Sequence, residues 1–341
     1  MDHQTVAGTF KSNSSSIVKL AGARIGVKFQ PLNEADNLLP ATMNTLIVKL
    51  GATGDVVRTT PLLRRLHGNV TWLTAARNVV LLENLKEGLR CFAWEQRELT
   101  QDRRYDLVIN LEDSMEVGCF LGKIDRAELF GAYCENADSL RYTENSKQWF
   151  DLSLISSYGR QEADRLKLQN RRSYQELIFA GLGFQFSGER YLHPQAVETG
   201  LAGDVAISRE AGPVWPMKNW AYYEELKHEL EAQGLTVNVL PQRSSLLEHL
   251  CDVRNHRCLV GGDSLPMHFA LGSGTPCVTL FTCTSPWEIY DYGIQKKVVS
   301  PLLAEFFYQR GYDRRATTAI SVEEVYSAVI TRLGLSVSAK H

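Results

Sequence analysis

The sequence lacks the features that would direct a chain to a nucleic acid or into a membrane. Its 341 residues carry 37 Lys and Arg against 39 Asp and Glu, a formal net charge of -2, so no basic excess is available to attract a nucleic acid. No stretch approaches the ~20 apolar residues of a membrane-spanning helix, and the polar, serine-rich N-terminus lacks the apolar core of a secretory signal. We therefore expect a cytoplasmic protein without a nucleic-acid partner, and a position at the surface of the inner membrane is compatible with this expectation.

Cysteine is also sparse. The seven cysteines are odd in number, and no two of them have the Cys-x-x-Cys spacing. Disulfide frameworks use paired cysteines and zinc sites commonly use that short spacing. The pattern argues against both, and it favours a reducing compartment and a site without metal.

Several catalytic signatures are missing as well. The sequence contains no His-Glu-x-x-His, Gly-x-Ser-x-Gly, Walker or Gly-x-Gly-x-x-Gly pattern, each of which carries a known chemistry. A dehydrogenase of the Rossmann type would therefore lack its usual phosphate-binding fingerprint.

The chain is long enough for two domains, because single cores usually stop growing below this length. Buried strands alternate with amphipathic helices from residue 45 onwards, which is typical of parallel sheets with helical crossovers. We predict an N-terminal appendage over residues 1–40, with a short hairpin at 17–29, and two α/β domains over residues 41–195 and 196–341. The last helix, predicted over 322–333, could return to the first domain.

Two segments, one in each half, share a strand, a turn of small residues and the start of a helix. The first contains Gly51-Ala-Thr-Gly-Asp55 and the second Gly261-Gly-Asp-Ser-Leu-Pro-Met-His268. Turns of this kind place free backbone N–H groups at the carboxyl end of a strand, where they can hold an anion or a polar ligand. The pair predicts a ligand bound between the two domains.

Each polar residue in these segments has two possible roles. Asp55 could cap its helix or accept a proton from a substrate hydroxyl. Asp263 and Ser264 could cap the second helix or hold a phosphate and a sugar hydroxyl, and His268 could be a buried structural residue or a ligand donor. Lys218 lies just before a helix predicted to begin near Trp220, where a cation opposes the helix dipole unless it binds a diphosphate.

The two segments together resemble glycosyltransferase family 9, the ADP-heptose:lipopolysaccharide heptosyltransferases. The resemblance rests on Leu-Ile-Val-Lys-Leu-Gly-Ala-Thr-Gly-Asp-Val-Val-Arg-Thr-Thr-Pro at 46–61, on Gly-Asp-Ser-Leu-Pro-Met-His-Phe-Ala at 262–270, and on Gly-Thr-Pro-Cys-Val-Thr-Leu-Phe at 274–281. It implies a GT-B architecture, in which two Rossmann-like parallel-sheet domains face a cleft. Residues 41–195 would then form the acceptor side, and residues 196–341 would bind the donor nucleotide.

The resemblance also implies site residues. Asp55 matches the general base, and Lys218 matches the residue that meets the donor diphosphate. The remaining positions fall into two groups, a donor-binding set of Gly262, Asp263, Ser264 and His268, and a phosphate or acceptor loop of Thr53, Gly54 and Arg58. No metal is expected, because the sequence has no Asp-x-Asp motif, and no cofactor is expected besides the nucleotide-sugar donor.

The chain departs from the family pattern at a few positions. Leu265 stands where a small residue is usual, and Arg58 follows Asp55 in the first turn. The acidic residue that family members use near the ribose has no clear counterpart, and Gln242 and Glu248 are the available substitutes. Residues 300–318 contain no cysteine, which removes any metal site there.

The expected function is therefore an inverting transfer of a heptose-type sugar, most readily from ADP-heptose, to a hydroxyl acceptor. The acceptor could be a lipopolysaccharide core, another lipid-linked glycan or a protein. The departures leave alternatives open: a catalytically weakened GT-B nucleotide-binding or scaffold protein, a protein O-heptosyltransferase, or a nucleotide-sugar epimerase.

Overall fold

A computed structural model describes residues 43–136 and 139–336 of the chain. The predicted N-terminal appendage and its hairpin lie outside the described residues. The described chain forms two α/β units, each built on a mainly parallel sheet, in agreement with the predicted fold class. The first sheet lies within residues 41–195 and the second within residues 196–341, while the domain limits themselves remain predictions.

The first sheet has six strands in the order β3-β2-β1-β4-β5-β6. Their bounds are β1 (Asn44–Val48), β2 (Asn69–Thr74), β3 (Leu89–Ala93), β4 (Tyr105–Asn110), β5 (Arg126–Asn136) and β6 (Ser139–Tyr142). The first five run parallel, and β6 pairs antiparallel with β5. Because β1 lies between β2 and β4, the chain changes direction across the sheet at β1, the place where ligands bind in open parallel sheets.

Five helices accompany this sheet. They are α1 (Thr53–Thr59), α2 (Met115–Leu121), α3 (Lys147–Phe150), α4 (Arg160–Gln169) and α5 (Tyr174–Gly181). The apolar pattern of residues 57–66 predicts one helix there, but α1 ends at Thr59 and continues only as a 3₁₀ turn over Thr60–Arg64 that contains Pro61. The pattern of residues 78–85 predicts a second helix, and the structure has a 3₁₀ segment at Ala76–Leu81.

The second sheet has five parallel strands in the order β11-β10-β9-β7-β8. Their bounds are β7 (Gly203–Ser208), β8 (Val237–Val239), β9 (His256–Gly262), β10 (Cys277–Phe281) and β11 (Gln295–Val299). The accompanying helices are α6 (Tyr223–Ala232), α7 (Leu246–Arg254), α8 (Leu265–Ser273), α9 (Leu303–Phe306), α10 (Arg314–Thr318) and α11 (Val322–Arg332). The sequence reasoning did not predict β6 or β11.

The last helix packs on the second sheet and does not return to the first domain. Val325, Val329 and Ile330 of α11 are almost fully buried, and they share one apolar core with α6 and with the strands of the second sheet. Ser321 accepts a hydrogen bond from the backbone N–H of Glu324 and so caps the start of the helix. The apolar face of α11 is buried against the second sheet. The expectation that the last helix returns to the first domain was therefore wrong.

One pair of cysteines is joined, contrary to the expectation from the odd count. Cys119 of α2 and Cys134 of β5 form a disulfide with their Cα atoms 5.2 Å apart. No local pattern marks this pair, because 15 residues separate the two and only the packing of α2 on β5 brings them together. Among the residues that the structure describes, no helix has the length and apolar character needed to cross a bilayer.

Candidate active site

The loop between β1 and α1 places Asp55 in the first turn of a helix that no side chain caps. Ala52 occupies the N-cap position, so the carboxylate of Asp55 is not the cap that one interpretation expected. It turns instead to two cations. Oδ1 lies 2.9 Å from Nη2 of Arg58, and Oδ2 lies 4.0 Å from Nζ of Lys49. The side chain of Asp55 keeps 31% of its surface exposed, which leaves it open to a ligand.

The same loop is ordered by a carboxylate from the neighbouring strand. Glu112 follows β4, and its Oε1 accepts hydrogen bonds from Lys49 Nζ at 2.7 Å and from the backbone N–H of Leu50 at 2.9 Å. Thr53 donates its hydroxyl to Asn78 Oδ1 at 2.8 Å. The side chain of Thr53, a predicted ligand residue, is thus engaged within the loop.

The charges around Asp55 act on its pKa in opposite directions. Burial raises the pKa, whereas the positive charges of Arg58, Lys49 and His268 lower it, and the net effect is a pKa below the ordinary value. Burial lowers the pKa of Lys49, but Glu112 and Asp55 raise it by more. Asp55 is therefore held as a carboxylate and Lys49 as an ammonium near neutral pH.

The second loop, between β9 and α8, centres on Asp263. Lys218 Nζ donates to its backbone carbonyl at 2.6 Å and to Oδ2 at 3.0 Å, and Thr284 donates to Oδ2 at 2.9 Å. Burial raises the pKa of Asp263, but Lys218, His268 and Arg58 hold it well below the usual range for a carboxyl group. Asp263 is a paired, ionised group and does not act as a free helix cap.

Lys218 does not lie at the start of α6, where the sequence suggested. It ends a 3₁₀ turn, Pro216–Lys218, and α6 begins only at Tyr223. The indole N–H of Trp220 donates to the carbonyl of Ile320 at 2.9 Å, which anchors the segment between Lys218 and the start of α6. The ammonium of Lys218 therefore faces Asp263 and the start of α8.

The other residues of the second motif line or support the same place. Ser264 occupies the N-cap position of α8 without a side-chain cap bond. Gly262 allows close approach, since a Cβ atom there would lie 3.1 Å from the carbonyl oxygen of Lys218. His268 is buried, and burial together with the charge of Arg58 lowers its pKa to about 4.

Both motifs open into one cavity between the domains. This cavity has a volume of about 550 Å³, and its walls include Asp55 and Arg58 from the first domain and Lys218, Asp263 and His268 from the second. The structure thus brings the predicted site residues together, with Thr53, Gly54 and Ser264 also on the walls. Gly262 supports the cavity from behind through its contact with Lys218.

Two further cavities adjoin it. One, of about 850 Å³, lies at the carboxyl ends of β7 and β8 and includes Gln242, Arg243, Ser264 and Leu265 in its walls. The other, of about 440 Å³, shares Asp55 and Arg58 with the central cavity and extends along the first domain past Trp149. Three connected spaces of this kind can hold a nucleoside, a diphosphate with its sugar, and an acceptor.

Sequence reasoning missed several charged residues at the centre. It set Glu112 aside because no partner stood at a diagnostic spacing, and it did not single out Lys49, Lys167, Glu288 or Tyr308. Glu112 was within reach, because it follows the strand predicted over 107–111 and Lys49 lies near the end of the strand predicted over 46–50. The carboxyl ends of neighbouring parallel strands meet at one edge of a sheet. Within the described ranges, no group of three or more His, Cys, Asp or Glu side chains is placed to hold a metal ion.

The second motif and the fold are both similar to those of known proteins. Residues 211–306 match the family model described as Glycosyltransferase family 9 (heptosyltransferase), while no curated protein sequence matches the chain. The chain is similar to the glycosyl transferase family 9 structure from Veillonella parvula, with a TM-score of 0.61, 16% identity and coverage of 87% of this chain and 99% of that one.

Two structures from Escherichia coli are also similar. The heptosyltransferase WaaC with ADP gives a TM-score of 0.55 and 15% identity, covering 85% of this chain and 100% of that one. The ADP-heptose lps heptosyltransferase II gives a TM-score of 0.55 and 15% identity, covering 85% and 98%. At such identities these likenesses establish the fold.

The two Rossmann-like units and the cleft between them have the GT-B fold of these similar structures. The family match over residues 211–306 includes the second sequence motif and agrees with the resemblance carried by the motifs: this part of the chain is similar to glycosyltransferase family 9.

Proposed function

We propose that this enzyme transfers a heptose-type sugar from ADP-heptose to a hydroxyl group of a glycan acceptor such as a lipopolysaccharide core, with inversion at the anomeric carbon. The observation that carries the proposal is the shared cavity, whose walls hold Asp55 on one side and Lys218 with Asp263 on the other. A carboxylate and a fixed cation facing each other across one space suit a transfer in which a hydroxyl loses a proton and a diphosphate departs.

The donor would occupy the second-domain side. Its nucleoside fits the 850 Å³ cavity at the ends of β7 and β8, and its diphosphate would lie at the first turn of α8, where backbone N–H groups favour an anion. Lys218 and the first turn of α8 can stabilise the charge that grows on the leaving diphosphate, so we propose a transfer that needs no metal. The similar heptosyltransferase WaaC has been solved with ADP, which supports the choice of nucleotide.

Asp55 would be the general base. As the acceptor hydroxyl attacks the anomeric carbon, its proton passes to Asp55, the new glycosidic bond forms, and the bond to the diphosphate oxygen breaks with its electron pair. The acceptor would lie in the 440 Å³ cavity along the first domain. We further propose that the reaction takes place in the cytoplasm, on a lipid-linked acceptor at the inner membrane.

The test is a transfer assay with ADP-heptose and a lipopolysaccharide core that lacks heptose, following ADP release and product mass. Asp55→Asn should lower kcat by about 10² to 10⁴, the usual contribution of a general base, and EDTA should not affect the rate. Asp102→Asn, at an exposed aspartate, is the matched control and should retain activity.

The outcomes separate the alternatives. Full activity of Asp55→Asn would refute the assigned mechanism, and retention of the anomeric configuration in the product would refute inversion. A failure of any nucleotide to stabilise the fold would instead favour a protein that kept the architecture and lost the chemistry.

A further inference from the structure

A second buried carboxylate lies between the domains and faces cations from the opposite side. Glu288 belongs to the segment after β10, and only 5% of its side chain is exposed. Lys167 of α4 lies 3.3 Å from Oε1, and the hydroxyl of Tyr308 donates to the same oxygen at 3.3 Å. Arg58 of α1 lies 3.9 Å from Oε2. A carboxylate of the second domain is thus surrounded by two cations of the first.

Arg58 is placed between Glu288 and Asp55. Its Nη2 is 2.9 Å from Asp55, its Nη1 is 3.9 Å from Glu288, and its guanidinium lies 4.1 Å above the centre of the Tyr174 ring. The Nε atom of Arg58 is buried and has no hydrogen-bond partner among the described residues. Arg58 is therefore shared between the two carboxylates and lies closer to Asp55.

The ion pair between Arg58 and Asp55 is unfavourable if Asp55 is to accept a proton. A guanidinium 2.9 Å from Oδ1 stands where the acceptor hydroxyl would have to approach, and it contributes to the lowered pKa of Asp55. Proton acceptance is most efficient when the pKa of the base approaches the working pH. Arg58 must therefore be drawn away from Asp55 before the proton can move.

We propose that Glu288 is a positioning residue that takes over Arg58 from Asp55 when an acceptor hydroxyl binds. This rests on the proposed function, because it assumes that Asp55 accepts the hydroxyl proton. The hydroxyl replaces the guanidinium at Oδ1, and the guanidinium completes its ion pair with Glu288 across the cleft.

Other charged groups face Asp55 and stay in place during this exchange. Lys49 remains near Oδ2 and is itself held by Glu112, so Asp55 keeps one cation throughout. Other titratable groups also act on Asp55 or Arg58, among them His268 on α8, Asp263 before it, Tyr174 on α5, Tyr191 and Tyr308. Only Arg58 contacts both Asp55 and Glu288 among the ion pairs of the described residues.

The test compares Glu288→Gln, Arg58→Gln and the double variant by carbon-13 NMR titration of aspartate carboxyl groups in the full chain, with Asp55→Asn assigning the signal. Glu288→Gln should lower the pKa of Asp55, because Arg58 then pairs with Asp55 alone, and Arg58→Gln should raise it. In the Arg58→Gln background, the change that Glu288→Gln causes in the pKa of Asp55 should be less than half as large. Melting temperatures confirm that each variant is folded.

Kinetics give an independent measurement. With ADP-heptose and a heptose-free core, Glu288→Gln should lower kcat about tenfold with less than a twofold change in KM, since the interaction is made only on the way to the transition state. It should also move the acid limb of the rate profile to lower pH. Glu288→Asp should restore most of the rate. A purely structural role would not move the pH profile.

The possible failures are distinguishable. An equal Glu288→Gln effect on the pKa of Asp55 with and without Arg58 would show that Glu288 acts directly through space, and would overturn the exchange. Absence of turnover by the native enzyme would overturn the proposed function, while the NMR comparison would still decide whether Arg58 is shared.

Discussion

Gly54 of the first motif packs directly against His268 of the second. A Cβ atom built on Gly54 would lie 2.7 Å from Cδ2 and 3.2 Å from Nε2 of the imidazole. The absence of a side chain at Gly54 therefore allows α1 and α8 to meet. This contact sets the distance between Asp55, one residue further on, and the donor side of the cleft.

Gly54→Ala should consequently widen or strain the cleft. The imidazole is buried and lies near the ring of Tyr191, with 5.9 Å between centroids, so it has little freedom to move away. We expect destabilisation of about 1–3 kcal/mol, as for overpacking in a core, and at least a tenfold loss of kcat/KM. Thermal unfolding and the transfer assay measure the two effects.

Gly200→Ala provides the control, because a Cβ atom there meets nothing within 4 Å. Removing the imidazole should also relieve the clash, so Gly54→Ala combined with His268→Ala should be more stable than the two single effects predict. An unchanged melting temperature for Gly54→Ala would mean that the contact between α1 and α8 is loose.

Lys218→Met should affect stability and donor binding together. The pair it forms with Asp263 is largely buried, with 12% and 17% of the two side chains exposed, and removal of one partner leaves a buried charge unpaired at a cost of about 3 kcal/mol. The pKa of Asp263 should rise in this variant, so the loss should be greatest above pH 5, where the carboxyl is still ionised. Chemical denaturation from pH 4 to pH 8 tests this.

A second variant separates the two roles of Lys218. Adding Asp263→Asn to Lys218→Met removes the unpaired charge, and it should recover much of the stability. It should not recover the affinity for ADP, because the cation that we propose to meet the diphosphate is still missing. Recovery of both in calorimetric titrations would show that Lys218 acts only on the fold.

The site residues differ in how well the sequence alone predicts them. Asp55 and Asp263 were predicted because each follows a recognisable strand and turn within one short segment. Lys218 was predicted just before the start of a helix, and the structure places it at the end of a 3₁₀ turn instead. The contact between Trp220 and Ile320 that anchors this segment spans 100 residues, so no local pattern marks it. Glu288 and Lys167 meet only through the packing of one domain on the other, and no local pattern marks such a contact.

His268 should make the protein less stable in mild acid. Burial and Arg58 hold its pKa at about 4 in the folded chain, whereas an unfolded histidine titrates near 6.5. Between these two pKa values the imidazole is protonated only in the unfolded state. The free energy of unfolding therefore falls as the pH falls through this window. We expect a loss of about 2 kcal/mol from pH 7 to pH 5 from this residue.

In His268→Gln, the free energy of unfolding measured in urea should change less between pH 7 and pH 5 than in the native protein. His228→Gln is the control, because His228 is exposed on α6, and it should leave the dependence unchanged. Equal slopes for native protein and His268→Gln would indicate that the imidazole is protonated, or accessible, in the folded state.

Arg243 should contribute to nucleotide binding in the 850 Å³ cavity. Its guanidinium is held by two hydrogen bonds to Asp252, of 2.7 and 3.0 Å, while Asp252 itself is fully buried and also accepts the hydroxyl of Thr199 at 2.6 Å. A cation fixed in this way can meet the ribose or the phosphates with little loss of entropy. Arg243→Gln should weaken ADP binding about tenfold to a hundredfold in calorimetric titrations, the loss expected for one charge-assisted hydrogen bond.

Arg243→Gln leaves the buried carboxylate of Asp252 without its cation. The comparison therefore also needs the double variant Arg243→Gln with Asp252→Asn, which removes that unpaired negative charge. The double variant should bind ADP as weakly as Arg243→Gln while melting at a higher temperature. Glu248→Gln is the control for the other predicted ribose residue, since the residues lining this cavity include Gln242 but not Glu248. If Glu248→Gln weakens ADP binding and the double variant does not, the nucleoside lies against α7, away from the guanidinium.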